Sequence, residues 1–423
     1  MKYASVLLAI SCLLSAVNAQ WLETSVQLPN SAEPFALCYN STGNKVYSAN
    51  QVTNTVTVID GATNQILSNF AVGSFPYALC YNPQDNKVYC ANMQDGTLTV
   101  IDGATDLVIA TLTIGDSAWA LCYDPDDDRV FCANRGSDDV AVVDGVTNQV
   151  IATVPSAAGP SALCYSHDEH MVYCANYWAD TVTVIDGATS QVVAEVPVGV
   201  GPEALCYDPQ NNRVYCANNS SADVTVIDGA TSQVLDGIAV GHSPTALCRN
   251  SRNDKLYSAN SAASDVSVID AAEDTVVATL RAGDGPEAFC YDSEYNKVYC
   301  ASFIGGTVTV IDGAADSVLG TITVGVGPRS LALNPVQNRV YVANYYTSTI
   351  SVLRDSILGI EEGRKSQASS HKRTATVIRG LPADAVAFDA MGRRIADPRP
   401  GVYFVTENGV RSAVHVRKVI LQR

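Results

Sequence analysis

One spacing governs what this chain can fold into. Asp60, Asp102, Asp144, Asp186, Asp228, Asp270 and Asp312 fall 42 residues apart without slippage, and Cys38, Cys80, Cys122, Cys164, Cys206, Cys248, Cys290 and Ala332 keep the same interval in a second phase. Within an interval the apolar residues form short alternating runs and show no helical period. The second unit reads "YALCYN" from Tyr77, "KVYCAN" from Lys87, "TLTVID" from Thr97 and "LVIATLTIG" from Leu107, separated by "PQD", "MQDG" and "GATD". Four β-rich runs per unit at such a period make each unit one blade of a β-propeller.

The strand pattern starts near Trp21 in the phase of a fourth strand and stops at Arg354 in the phase of a third, a span of 334 residues, two short of eight periods. A chain beginning with one outer strand and ending with three inner ones completes its last blade by pairing its two ends, which leaves no frayed sheet edge. The expectation is therefore an all-β, eight-bladed propeller over residues 20–354, with seven blades as the alternative. The recurring Asp-Gly-Ala-Thr segment reads as a turn in which Asp and Thr side chains satisfy local amides.

The eighth unit contains "VYVANYYTSTISVL", and the others carry "VYCAN", "TVTVIDGAT" and "GPEAL". Together these resemble the YVTN-repeat β-propeller family of secreted or surface-layer proteins, over nearly the whole span from Trp21 to Arg354. Members of that family are usually described with seven blades, so the count read here departs from it. The resemblance implies a fold and says little about function.

Residues 1–19, "MKYASVLLAISCLLSAVNA", have Lys2, an apolar run from Val6 to Leu14 and small residues ending at Ala19. This is the pattern of a secretory signal peptide cleaved after Ala19, too short for a membrane span. Cys12 would suit a lipoprotein anchor, but Ala9-Ile10-Ser11 before it fits such a signal poorly. No other apolar run approaches a transmembrane helix, so the protein is expected to be secreted or held at the outer cell surface.

Charge divides the chain. Gln20 to Arg354 holds 13 Lys and Arg against 36 Asp and Glu, a net of −23, whereas Asp355 to Arg423 holds 12 against 7, a net of +5. The field of the larger region repels phosphate backbones and argues against a nucleic-acid partner. Residues 355–374 read as a polar linker, and residues 375–423 as a small Ig-like β-sandwich with turns at Gly392 and Gly409. Within it Phe388-Asp389-Ala390-Met391-Gly392-Arg393, Gly401-Val402-Tyr403-Phe404 and Lys418-Val419-Ile420-Leu421 resemble the C-terminal sorting domain of type IX secretion cargo. That likeness implies the secretion machinery as a partner.

Five repeats hold cysteines ten residues apart: Cys80/Cys90, Cys122/Cys132, Cys164/Cys174, Cys206/Cys216 and Cys290/Cys300. With the first hairpin turn centred at Asp85, the two members of a pair face each other on adjacent strands, and an oxidising compartment favours a disulfide. Against this, Ala332 and Val342 in the eighth unit, and Ser48 and Ser258 in the first and sixth, show that small residues suffice there. No cysteine spacing fits zinc. "SHDEH", with His167 and His170, and "DPDDDR" from Asp124 are weak metal patterns in the first hairpin turns of the fourth and third units. No cofactor or metal is expected.

Positions that vary among otherwise fixed repeats are free to serve something other than the scaffold. The loop entering each unit ends in one changing residue: Phe35, Tyr77, Trp119, Ser161, Glu203, Thr245, Glu287 and Arg329. By propeller analogy these ring the mouth of the axial channel. The loop joining second to third strand emerges on the same face and carries Tyr177, Trp178, Phe303, Tyr345 and Tyr346 in "YWAD", "FIGG" and "YYTS". An aromatic arc facing carboxylates suits a sugar or a cationic or amphipathic peptide, or else the aromatics plug the channel. No G-x-S-x-G, phosphate loop, dinucleotide fingerprint or H-E-x-x-H occurs. The reading is a non-enzymatic, exported binding or adhesion propeller for an extracellular glycan, peptide or protein. The alternative is a secreted hydrolase or lyase using Glu203 and Glu287.

Overall fold

The computed structural model describes residues 19–356 and the backbone of five short strands beyond them. Eight four-stranded antiparallel sheets follow one another, one per 42-residue unit. In blade 2 the strands are Tyr77's Pro76–Asn82, then Lys87–Asn92, Thr97–Asp102 and Leu107–Thr113, ordered from the channel outward. The inner strands of successive blades touch around the whole ring, including the eighth with the first.

Burial follows from this layering. The two middle strands of each blade are covered on both faces by neighbouring blades, so in "KVYCAN" and "TLTVID" every residue but Lys87, Thr97 and Asp102 is buried. The outer strand, with a neighbour on one side only, is mostly exposed. Between blades 2 and 3 the core is built from Tyr89, Ala91, Leu98 and Val100 of one and Val130, Cys132, Ala141 and Val143 of the other.

The eighth blade is composite. Pro328–Asn334, Arg339–Asn344 and Thr349–Ser356 supply its inner three strands, and the N-terminal Ala19–Gln27 pairs with the last of them in antiparallel register from Gln27↔Thr349 to Ala19↔Ser356. The closure expected from the phases of the chain ends is the one found.

A second device joins the blades and explains why "VYCAN" and "DGAT" recur together. The second-strand tyrosine of one blade reaches the turn after the third strand of the next. The Tyr173 and Tyr215 hydroxyls donate to the carbonyls of Gly229 and Ala271, both at 3.2 Å, and Tyr47 donates to Asp106 at 2.5 Å. Tyr341 of blade 8 donates to Gly61 and Asn64 of blade 1, carrying the pattern across the ring closure. The basic residue two positions earlier makes a parallel contact: Lys45 to Asp106, Arg213 to Asp274, Arg339 to the Gly61 and Ala62 carbonyls. The turn itself is held as its residue types imply. Asp102 accepts from the amides of Ala104 and Thr105 and from the Thr105 hydroxyl, and those bonds hold its carboxyl below the usual range.

The cysteine pairing expected from the sequence is corrected by the strand register. The hairpin turn spans residues 83–86 between Asn82 and Lys87, so Cys80 lies opposite Tyr89, and Cys90 opposite Leu79. The same one-residue offset recurs at Cys122/Cys132, Cys164/Cys174, Cys206/Cys216 and Cys290/Cys300. Because strand side chains alternate, the members of each pair project from opposite faces of the sheet and do not meet. All twelve cysteines from Cys38 to Cys300 are free thiols. Burial pushes the Cys80, Cys206 and Cys290 thiols up to about 12.

By contact density the chain divides into residues 1–360 and 361–423. In the second unit Val377–Ile378, Val386–Phe388, Arg394–Ile395, Gly401–Thr406 and Val416–Leu421 form one sheet, with the first and last of these strands parallel. The expected sandwich and sorting-type module fall largely outside the described residues, as do the signal-peptide residues before Ala19.

Candidate functional site

Each varying residue of the entering loop occupies the same backbone irregularity. In blade 2 the ladder pairs Pro76 with Asn92 and then Ala78 with Ala91, leaving Tyr77 unpaired in a β-bulge. Phe35, Trp119, Ser161, Glu203, Thr245, Glu287 and Arg329 are skipped in the same way. A bulge frees a side chain from the inward–outward alternation of the strand and re-aims it. The joining loop is fastened beside it: the amides of Arg135, Tyr177, Phe303 and Tyr345 donate to the carbonyls of Ser117, Gly159, Gly285 and Gly327 at 2.7–2.9 Å. The two loops therefore lie on one face, as their parity requires.

These carbonyls sit on residues with positive φ. Gly159, at φ 76°, also lies under the Trp178 indole, where a β-carbon would come within 2.7 Å of the ring. Gly327, at φ 73°, is covered by Tyr346 and Phe303 in the same manner. Glycine here permits both the turn and the close approach of an aromatic side chain.

At the mouth the three aromatic bulge residues form a column. The Phe35 and Tyr77 centroids are 4.2 Å apart, as are those of Tyr77 and Trp119, each pair inclined by 36°. Arg329 caps the Phe35 end, its guanidinium carbon 4.3 Å from the ring, and Arg135 caps the Trp119 end at 4.3 Å. Both faces of Tyr77 are thus taken by neighbouring rings, and each terminal ring has one face on a ring and the other under a cation. The column itself leaves little open face for a ligand.

The joining-loop aromatics flank it. Tyr177 and Trp178 each lie 5.0 Å from Arg135, so three rings surround that guanidinium. Phe303 lies 5.1 Å from Arg329, Tyr346 packs on Phe303 and Tyr345, and Tyr345 meets the edge of Phe35. Trp178 and Tyr346 remain open to solvent, 61% and 62% exposed, and supply the free aromatic surface of this rim. Sequence reasoning passed over Arg135; its signal was a basic residue opening a joining loop beside Trp119.

The other side of the mouth is acidic. A cavity of about 390 Å³ is lined by Phe35, Tyr77, Glu203, Thr245, Glu287 and Arg329 among others, which brings six of the eight bulge residues to one space. Burial pushes the Glu203 carboxyl up, opposed by Arg135 and Asn219; Glu287 is also raised by burial and opposed by Arg329, 3.9 Å away. Ser161 and Thr245 face no ligand with their hydroxyls, which donate to the Pro202 and Pro286 carbonyls of the following blades.

The weak metal patterns lie elsewhere. Asp124 accepts from the amides of Asp126 and Asp127, so it shapes its own hairpin turn. His167 pairs with Asp168, and His170 lies 3.9 Å from Asp126. Among the described residues no group of three His, Cys, Asp or Glu side chains has metal-holding geometry.

Comparison with known proteins supports the fold. A family profile described as a YNCE-like beta-propeller matches residues 107–208, from the outer strand of blade 2 to the inner strand of blade 5. The chain is similar to that family over this stretch. It is also similar to a solved structure of Kuenenia stuttgartiensis hydrazine synthase, at 19% identity and a TM-score of 0.54, over 79% of this chain and 99% of that one. At such identity the likeness concerns the propeller alone. No curated protein matches. The protein is an eight-bladed β-propeller.

Proposed function

We propose that this chain is an exported propeller that binds an extracellular glycan or peptide on the loop face around its channel mouth. The observation that carries this reading is the exposed pair Trp178 and Tyr346, the first packed beside Arg135 and the second on Phe303, the ring that lies against Arg329. Open aromatic surface next to fixed polar groups is what an amphipathic ligand with one apolar face recognises. Residues 1–19 supply the export signal in this account, and residues 375–423 the delivery module. Glycan and peptide arrays probed with the purified protein test it: retention of a ligand by the native chain and its loss in Trp178→Ala are expected, and no retained ligand of either kind would overturn the reading.

A second reading rests on Glu203 and Glu287, two carboxyls with raised pKa in one cavity, which is how acid–base pairs are prepared. It makes the protein a hydrolase or lyase. Turnover of a polysaccharide or lactone that disappears in Glu203→Gln or Glu287→Gln would establish it over binding alone.

A further inference from the structure

The two cations of the rim are held without being used. The Arg135 guanidinium is gripped by Trp119, Tyr177 and Trp178, yet among the described residues it donates no hydrogen bond and has no carboxylate in ion-pair contact. Arg329 is gripped by Phe35 and Phe303, and its sole ion-pair contact among the described residues is the long one to Glu287 at 3.9 Å. Arg213 and Arg339, by contrast, are spent on structure. Arg213 bonds Asp274 at 2.7 Å, and Arg339 forks onto Glu23 at 2.7 and 2.6 Å. A guanidinium stacked on rings spends its flat face on them and keeps its in-plane N–H donors, a fork matched to a planar oxyanion.

We infer that the ligand of this rim carries carboxylates, and specifically that it is an acidic glycan whose uronate groups dock on Arg135 and Arg329 while sugar rings lie on Trp178 and Tyr346. The inference rests on the binding reading above and names the ligand class within it. Two fork donors separated by three stacked rings favour a chain that repeats its charge over a single small anion. The exposed Trp178 beside the Arg135 fork, and Tyr346 one ring removed from Arg329 across Phe303, favour a sugar ring over an extended acidic peptide. Overall charge does not forbid this. At physiological salt the field of the distant carboxylates is screened within about 8 Å, whereas the guanidinium contacts are local. Among the described acids at the mouth, Glu287 reaches Arg329 only at 3.9 Å and none is in ion-pair contact with Arg135, so both guanidiniums keep donors for a ligand.

The test compares polygalacturonate, the same polymer with its carboxyls methyl-esterified, and dextran sulfate, titrated into the full chain by calorimetry. Polygalacturonate is expected to bind, the ester about tenfold or more weakly, and Arg135→Gln and Arg329→Gln each to lower affinity by about tenfold while staying folded, with midpoints lowered only by the lost cation–π contacts. Arg135→Lys should restore only part of the loss, because an ammonium lacks the fork. Equal binding of polygalacturonate and its ester, lost in Trp178→Ala but not in the arginine variants, overturns the inference and leaves glycan binding intact. Equal or tighter binding of dextran sulfate shows a response to charge alone and overturns the carboxylate assignment. Failure of all three polymers while an arrayed neutral glycan or peptide binds overturns the inference alone; failure of every probe removes the binding reading with it.

Discussion

Lys297 and Asp355 form a buried ion pair, Nζ to Oδ1 2.6 Å, between the seventh blade and the third strand of the eighth. Tyr299 donates to the same carboxylate at 2.7 Å, and Gln20 of the N-terminal strand reaches it at 3.2 Å. One side chain thus ties a penultimate blade, the end of the propeller chain and its beginning.

Removing one member leaves a charge buried without a partner. Asp355→Ala should cost about 3–5 kcal/mol of stability, whereas Lys297→Met combined with Asp355→Leu should recover most of that loss. Denaturant unfolding of the two variants checks this; equal losses in both would show that the pair's charge is not what the closure needs.

Substitution at Gly159 should act through both backbone and ring. A β-carbon at φ 76° is strained, and it meets the Trp178 indole within 2.7 Å. Gly159→Ala is expected to cost about 1–3 kcal/mol and to change the Trp178 fluorescence. Gly320, whose added β-carbon meets nothing within 4 Å, is the control and should tolerate alanine with little change.

The rim aromatics should separate into two kinds. Trp119, stacked between Tyr77 and Arg135, is expected to cost about 2–4 kcal/mol of stability on truncation to alanine. Trp178, 61% exposed, should leave stability within about 0.5 kcal/mol. Thermal or denaturant unfolding of both variants measures the contrast, and equal effects would contradict the stacked column.

Two groups of carboxyls should give stability opposite pH slopes. Asp60, Asp102, Asp144, Asp186 and Asp228 sit below the ordinary value, so their contribution is present above the unfolded-state pKa and lost as pH falls through the folded one. Glu203 and Glu287 are raised, so the folded state keeps protons that the unfolded chain has released. Their contribution declines as pH rises from the ordinary carboxylate value through the raised one. Glu203→Gln with Glu287→Gln should remove that decline in unfolding measured from about pH 4 to 8 and leave the acid-side loss unchanged.

What the sequence disclosed was whatever depends on periodicity. The blade count follows from the 42-residue interval together with the 334-residue span from Trp21 to Arg354, and the composite eighth blade from the phases at those two residues. The bulge position could be located because it varies among fixed neighbours. What depends on a single residue of register could not be read: a turn centred on Asp85 and one centred between Gln84 and Asp85 look alike in sequence, yet the second sends Cys80 and Cys90 to opposite faces. Nor does a ring of bulge positions disclose how close its members lie. Phe35, Tyr77 and Trp119 were legible as neighbours, but only three-dimensional spacing shows that they consume one another's faces and pass the exposed role to Trp178 and Tyr346.

The most direct test of the account is binding of the retained array ligand to three proteins: the native chain, Trp178→Ala with Tyr346→Ala on the rim, and Tyr207→Phe, whose hydroxyl bonds Asp168 of a first-hairpin turn on the opposite face. The account predicts loss of binding in the rim variant and native affinity in the other. Native affinity in the rim variant, or loss only in Tyr207→Phe, would contradict it.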